Sequence, residues 1–455
     1  MSDIAGEPIE VYRRSSTQGS SEVRLLAEQA RRAARAIAPM SLAQRNASLT
    51  AIAEALVKQQ HALLAANAED LHLADALVAT GDLSPANRAR LGLTTAKLEE
   101  MAAQVRAVRE LPDPLGRRLE AMELDRGLDL EKRSVSLGVL AVIFEARPDA
   151  VTQISALALK SGNAVILKPG REVERTAAAL VSLIRAAIRS ASLPEDAVSV
   201  IFGRAAVAEL LTLSSLVDLV IPRGSRALVE HIQATTRIPV LGHADGICHI
   251  YVDRSVDAEQ ALAVIDDAKT DYPAVCNAVE TVLVHQAVAL TFLPALVSRL
   301  SSKGVRLLGD AGVRAVLSTE LAATVGEVEE WHTEYGDLTL ALRVVPSIEA
   351  AIEHIHVFGS AHTESICTTN ADAAERFLNE VDAASVMVNA STRFADGFRY
   401  GLGAEVGVST SRIHARGPVG LEGLTTTKYL VRGHGHLAGD YRGPQAKVFT
   451  HRRIS

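Results

Sequence analysis

Cysteine is scarce in this sequence: Cys248, Cys276 and Cys367 are the only three among 455 residues, so any disulfide scheme leaves one thiol unpaired. They lack the short spacing of a zinc site, and a reducing, cytoplasmic setting is expected. No apolar run reaches the roughly 20 residues that a membrane-spanning helix needs. Residues 1–20 are polar, with acidic residues ahead of Arg13, and read as a flexible tail in place of a signal or transit peptide. Aromatic residues amount to 4%, too few for an aromatic-rich recognition surface, and a formal charge of −7 offers no basic field to nucleic acid. The dinucleotide fingerprint G-x-G-x-x-G is missing too. Gly401-Leu402-Gly403 and Gly433-His434-Gly435 begin like it, but the third glycine falls one place late in both. A nucleotide cofactor must therefore be held another way.

What is abundant is alanine, leucine and valine, within a hydrophobic fraction of 48% that suits helices packed on parallel sheets. A chain of this length is expected to divide into two or three domains. Apolar residues recur at helical spacing over 23–60, 62–77 and 94–110, a helical layer that carries no chemical motif. Residues 117–135 alternate charged and apolar around Asp125-Arg126-Gly127, as two strands and a turn, and such a hairpin needs a surface to lie on. A partner subunit is one candidate.

From residue 139 the chain alternates buried-type strands (139–144, 164–167, 198–202, 217–221, 238–241) with helices, which predicts a doubly wound, mostly parallel α/β sheet. Ligands of such sheets bind beyond the carboxyl ends of the strands. The turn Lys168-Pro169-Gly170-Arg171 and the group Arg223-Gly224-Ser225 occupy those places, and both suit phosphates at helix N-termini. A second alternating unit follows residue 246. The expected division is a tail over 1–20, a first α/β domain over 21–116 and 137–245, a second over 246–420, and oligomerisation strands over 117–136 and 424–445.

Cys276 lies in that second unit, in the loop Asp271-Tyr272-Pro273-Ala274-Val275-Cys276-Asn277 between a predicted helix and a predicted strand. A buried packing role is the default for a free cysteine. A thiol on a loop beside a proline turn is instead placed for a substrate to reach. His243, Asp245, Cys248 and His249 suggest a metal, but Gly242 and Gly246 mark a tight connection, and neighbours on a strand face opposite sides. No metal is expected. His354 and His356 flank one residue of a predicted helix and cannot share a face.

Several stretches together carry a family resemblance. Residues 142–149 (VIFEARPD), 219–225 (LVIPRGS), 239–249 (PVLGHADGICH), 271–277 (DYPAVCN) and 412–424 (RIHARGPVGLEGL) resemble, in order, the gamma-glutamyl phosphate reductase family of the aldehyde dehydrogenase superfamily. The resemblance runs from about residue 21 to 436. It implies an aldehyde-dehydrogenase-like fold of two doubly wound domains with a small β arm for oligomerisation. It also implies that Cys276 is the nucleophile, that Lys168 meets the adenosine ribose or its phosphate, that Gly224-Ser225 meets the cofactor, and that Glu334 holds the nicotinamide ribose. The superfamily's oxyanion asparagine falls near Ala146, which has no side-chain donor, so backbone N–H groups or Asn277 must serve. Opposite its general-base glutamate stands His243 or a neighbour.

The activity implied is NADPH-dependent reduction of L-glutamyl 5-phosphate to L-glutamate 5-semialdehyde in proline biosynthesis, through a cysteine thioester. Cations at Lys168 and Arg171, where an acidic residue would favour NAD, favour NADPH. Arg147, Asn389 and Arg399 are the candidates for the charged ends of the substrate. A homodimer or dimer of dimers is expected, and glutamate 5-kinase, which makes such an acyl phosphate, is a candidate partner. Two alternatives stay open: an aldehyde dehydrogenase that forms an acid, and a catalytically silent oligomeric scaffold.

Overall fold

A computed structural model describes residues 21–243 and 245–454, and the expected tail over 1–20 lies outside the described residues. The helical layer comprises α1 (Ser21–Ile37), α2 (Leu42–Lys58), α3 (Gln60–Ala79), α4 (Pro85–Arg90) and α5 (Thr95–Glu110). The break near Pro39 restarts cleanly at α2 because Ser41 and Gln44 form a reciprocal capping box. No described helix is long and apolar enough to cross a membrane.

The segment with alternating charge folds as the antiparallel hairpin β1 (Arg118–Asp125) and β2 (Leu128–Ser136). The first parallel sheet follows, built from β3 (Val139–Phe144), β4 (Ala164–Lys168), β5 (Val198–Val200) and β6 (Leu219–Arg223) in the order β5-β4-β3-β6. Its crossovers are α6 (Asp149–Lys160), α7 (Glu174–Ser190) and α8 (Arg204–Leu210), and α9 (Arg226–Thr235) leaves β6. Period two explains why β3 is apolar throughout. Leu140, Val142 and Phe144 pack with α2 and α5, whereas Val139, Ala141 and Ile143 pack with Val23, Ala27 and Ala30 of α1 on the other face. The strand expected over 238–241 reduces to a single parallel bridge between Val220 and Val240.

The second sheet is also wholly parallel. It takes β7 (Cys248–Val252), β8 (Val279–His285), β9 (Arg306–Gly309), β10 (Gly326–Glu327), β11 (Thr339–Val345), β12 (Thr363–Cys367) and β13 (Ser385–Val388), in the order β10-β9-β11-β8-β7-β12-β13. After it come the short pair β14 (Val408–Ser409) and β15 (Gly417–Pro418). Here the chain returns: Ala404, Val406, Val419 and Leu421 pack into the core of the first sheet.

The strand expected over 425–431 is β16 (Thr425–Arg432), and it finds its partner in its own chain. It pairs with β2 from Thr425–Ser136 to Arg432–Asp129. That corrects the expectation of two separate open edges, because antiparallel pairing in cis already satisfies one side of each. The terminal β17 (Arg452–Arg453) covers part of β1, which local pattern did not suggest.

One buried ion pair braces the cysteine loop. Lys269, at the end of α10 (Ala258–Thr270), places Nζ 2.8 Å from Oε2 of Glu280 on β8, and both side chains are at most 1% exposed. Burial pushes the Glu280 carboxyl up to about 7, against the pull of Lys269. Lys269→Met leaves that carboxylate buried and unpaired, and should cost about 3–5 kcal/mol of stability at pH 8. A carboxyl raised in the folded state binds its proton more tightly there than when unfolded, so it lowers stability as pH rises above the unfolded value of 4.5. The loss in Lys269→Met should therefore shrink at pH 5, where Glu280 is neutral, and Lys269→Met/Glu280→Gln should recover most of it. Denaturant unfolding at the two pH values measures this, and an equal loss at both would contradict it.

Candidate active site

Two opposite strand ends supply the site. In the first sheet the carboxyl ends carry it: Arg147 follows β3, Lys168 ends β4 and Arg223 ends β6. In the second sheet it lies at the amino edge, where Gly246 precedes β7, Cys276 precedes β8, Gly336 precedes β11 and His362 precedes β12. Gly246 shows how closely the interdomain connection crosses the cysteine turn. A β-carbon there would lie 2.5 Å from the Cys276 Cα and would also overlap its carbonyl oxygen. Gly246→Ala should displace the thiol by a sizeable fraction of an ångström and lower turnover about 100-fold while the chain still melts cooperatively. Turnover and the alkylation rate of Cys276, measured together, check this. Normal values for both would show that the turn has slack.

Cys276 is half-buried, whereas Cys248 and Cys367 are buried. Burial pushes the Cys367 thiol up to about 12 and the Cys248 thiol well above its ordinary range, so both stay protonated. One ligating atom each from His243, Cys276 and His362 lies within 4.8 Å of the other two. His243 Nδ1 is 2.9 Å from the Val408 carbonyl oxygen. His362 Nδ1 is 2.9 Å from Thr363 Oγ1 and 3.7 Å from Cys248 Sγ, and Cys248 donates to the Cys276 carbonyl at 3.2 Å. Of the group weighed as a metal set, only His243 joins the thiol. Asp245 pairs with Arg226 at 2.8 Å, and His249 turns to Glu364 at 2.9 Å. His362 was missed because only its place ahead of β12 marks it, and that matters only once the thiol is known to use the amino edge.

Of the two oxyanion donors left open, backbone N–H groups or Asn277, the Asn277 amide is already engaged. Its Nδ2 donates to the Ala395 carbonyl at 3.0 Å and the Arg393 carbonyl at 3.4 Å, and its Oδ1 accepts from Arg393 Nη1. Both amide N–H bonds are spent on clamping residues 393–395 under the cysteine turn. Arg393, which sequence reasoning missed, also reaches Asp271 Oδ2 at 3.2 Å. Arg399 joins this clamp through the Arg393 carbonyl and Asp271. Asn389 is at the wrong edge for the substrate role expected. It follows β13, and its side chain accepts from Thr368 N at 2.9 Å and donates to Thr368 O at 2.8 Å, tying together the carboxyl ends of two strands.

Arg223 ends β6 with a buried guanidinium. Its Nη1 is buried with no hydrogen-bond partner among the described residues. Burial first, and Arg147 second, push its guanidinium down to about 10, while Glu405 and Cys276 act in the other direction. Arg147, 3.3 Å from Asp149, is partly exposed. Arg223 thus interacts electrostatically with both Arg147 and the thiol.

The remaining residues ring the carboxyl ends of the first sheet. Lys168 is half-buried within the field of Glu174, and exposed Arg171 pairs with Asp82 at 3.4 Å. At Gly170 a β-carbon would displace the Glu172 carboxylate. Glu172 Oε1 in turn accepts from Ala146 N at 2.5 Å. Ala146 has φ +47° and packs with Ala74, Leu91 and Val173 in a small apolar cluster. Gly224 lies under Glu145, and exposed Ser225 is the N-cap residue of α9. Glu334 is exposed, two residues before Gly336, whose N–H donates to Glu280 at 3.3 Å.

Residues 6–311 match the model of the aldehyde dehydrogenase family. The gamma-glutamyl phosphate reductase of Synechococcus sp. (strain JA-3-3Ab) is 53% identical over 424 residues, 93% of this chain and 92% of that protein. The gamma-glutamyl phosphate reductase 1 of Synechocystis sp. is 49% identical, covering 95% and 98%. The crystal structure of gamma-glutamyl phosphate reductase from Thermotoga maritima superposes with a TM-score of 0.87 at 38% identity, over 91% of this chain and 99% of that one. With its two parallel sheets and a thiol on the turn before β8, the chain belongs to the aldehyde dehydrogenase family, among the gamma-glutamyl phosphate reductases.

Proposed function

We propose that this chain reduces L-glutamyl 5-phosphate to L-glutamate 5-semialdehyde with NADPH, releasing phosphate, as a step of proline biosynthesis. The observation that supports the reading is the half-buried Cys276 thiol on the turn before β8, with the buried Arg223 guanidinium interacting electrostatically with it. The Cys276 thiolate attacks the acyl carbon, a C–S bond forms, and the C–O bond to phosphate breaks. Phosphate leaves as an anion beside two guanidiniums, which suit it as charge-assisted, fork-shaped donors. With the Asn277 amide spent, the backbone N–H groups of the cysteine turn are left to face the oxyanion. Bound NADPH would supply the hydride that resolves the thioester, returning the electron pair of the C–S bond to sulfur.

Lys168 and Arg171 would hold the 2′-phosphate, Gly224 and Ser225 the pyrophosphate at the start of α9, and Glu334 the nicotinamide ribose. Lys168→Ala should lower kcat/KM for NADPH about 10- to 100-fold, the scale of a charged hydrogen bond, and leave that for NADH nearly unchanged. Equal losses with both cofactors would show that Lys168 does not read the phosphate. A homodimer or dimer of dimers fits the outer edge of β16, which no strand among the described residues covers and where Tyr429 and Val431 are exposed. NADP reduction by the semialdehyde, assayed with and without phosphate, separates this reaction from an acid-forming dehydrogenase and from a silent scaffold.

A further inference from the structure

We infer that Cys276, His243 and His362 form a site for a thiophilic divalent ion such as Zn²⁺, and that the bound ion silences the enzyme by occupying its nucleophile. The three ligating atoms come from separate segments and converge within 4.8 Å of one another. In a tetrahedral zinc site, Zn–N near 2.0 Å and Zn–S near 2.3 Å put ligand atoms about 3.3–3.8 Å apart. Torsional shifts of about an ångström at the thiol and one ring would close that gap.

Each imidazole has its Nδ1 already engaged. His243 Nδ1 meets a carbonyl oxygen, Val408 O, which fixes the proton on Nδ1 and leaves the Nε2 lone pair free, the arrangement usual behind a metal-bound histidine. His362 is completely buried, its Nδ1 is engaged by Thr363 Oγ1, and its Nε2 has no partner among the described residues. A buried, unsatisfied imidazole nitrogen costs about 1–3 kcal/mol, which a ligand would offset. The donor set of one thiolate and two imidazoles selects Zn²⁺, Co²⁺ or Cd²⁺ over Mg²⁺ and Ca²⁺, which prefer oxygen. Binding exchanges the thiol proton for the metal: the S–H bond breaks, an S–Zn bond forms, and the proton goes to solvent. A fourth position remains for water. The site stands on this geometry alone, whereas silencing rests on the reaction proposed above.

The test uses the full-length protein freed of metal with a chelator. Equilibrium dialysis against Zn²⁺ should give one ion per chain. Co²⁺ should give tetrahedral d–d bands and a thiolate charge-transfer band that vanishes in Cys276→Ser. His243→Gln and His362→Ala should each weaken binding by about 100-fold, at least the scale of losing an outer-shell partner. His243→Gln alters a half-buried ring, so it keeps the test decisive if His362→Ala unfolds. Turnover should fall with Zn²⁺ occupancy and return with EDTA. Absence of a bound ion overturns the proposal. So does binding that survives in Cys276→Ser and His243→Gln, or binding lost in His434→Ala/His436→Ala on the carboxyl-terminal turn. An inactive chain that still binds Co²⁺ through Cys276 would refute the reaction and keep the site, and an active enzyme that binds none would do the reverse.

Discussion

Cys276→Ser should fold as the parent does and lose turnover by about 10⁴- to 10⁶-fold, the scale on which a covalent nucleophile acts. A serine hydroxyl is a far weaker nucleophile than a thiolate at neutral pH and would need a strong base to attack an acyl phosphate. Neither remaining cysteine can substitute, because burial keeps both thiols protonated. Cys367→Ser should be nearly silent in turnover. Cys248→Ser should stay within about tenfold, since a serine hydroxyl can repeat the single hydrogen bond to the Cys276 carbonyl. Steady-state NADP reduction and thermal melts of the three variants decide the matter. Turnover in Cys276→Ser within tenfold of the parent would remove the thioester from the mechanism.

Much of this arrangement is legible along the sequence because it is local. Residues 139–144 announce a strand buried on both faces, Lys168 and Arg223 end strands of the same kind, and the cysteine lies where helix and strand patterns meet. Contacts between distant segments leave no such trace. Nothing near Asn277 shows that Arg393 and Ala395 will consume its amide, and nothing near Ala146 shows that it will pack with Ala74 of α3. Asn389 looked like a loop asparagine near the family motifs, yet a positive φ and two bonds to Thr368 make it a fastener. The choice of edge was the deepest gap. Parallel sheets usually offer their carboxyl ends to ligands, and only the tertiary structure reveals that the second sheet offers its amino edge.

In the proposed reaction that edge decides what happens to the thioester in the reverse direction, where water and phosphate compete for the acyl carbon. Water needs a base to deprotonate it. His362 is sealed from solvent, and His243 backs its free Nε2 with a neutral carbonyl, Val408 O, where a histidine base usually has a carboxylate to stabilise its imidazolium. Phosphate needs no base, only cations. Arg223, with a guanidinium near 10, remains charged at neutral pH, keeps Nη1 unpartnered, and is reinforced by Arg147. NADP reduction by the semialdehyde should accordingly stop near one turnover per site without phosphate and run continuously with phosphate or arsenate. Arg223→Met should raise the phosphate concentration for half-maximal rate about 10- to 100-fold, as expected for losing a charged hydrogen bond. Arg223→Lys should recover part of this, since it keeps the charge and loses the fork. Product analysis reads the partition directly: with phosphate the acyl group should leave as acyl phosphate, and free glutamate should form only slowly. Fast, phosphate-independent glutamate formation would mean that water reaches an activating group at this edge, and the chain would then be an acid-forming aldehyde dehydrogenase.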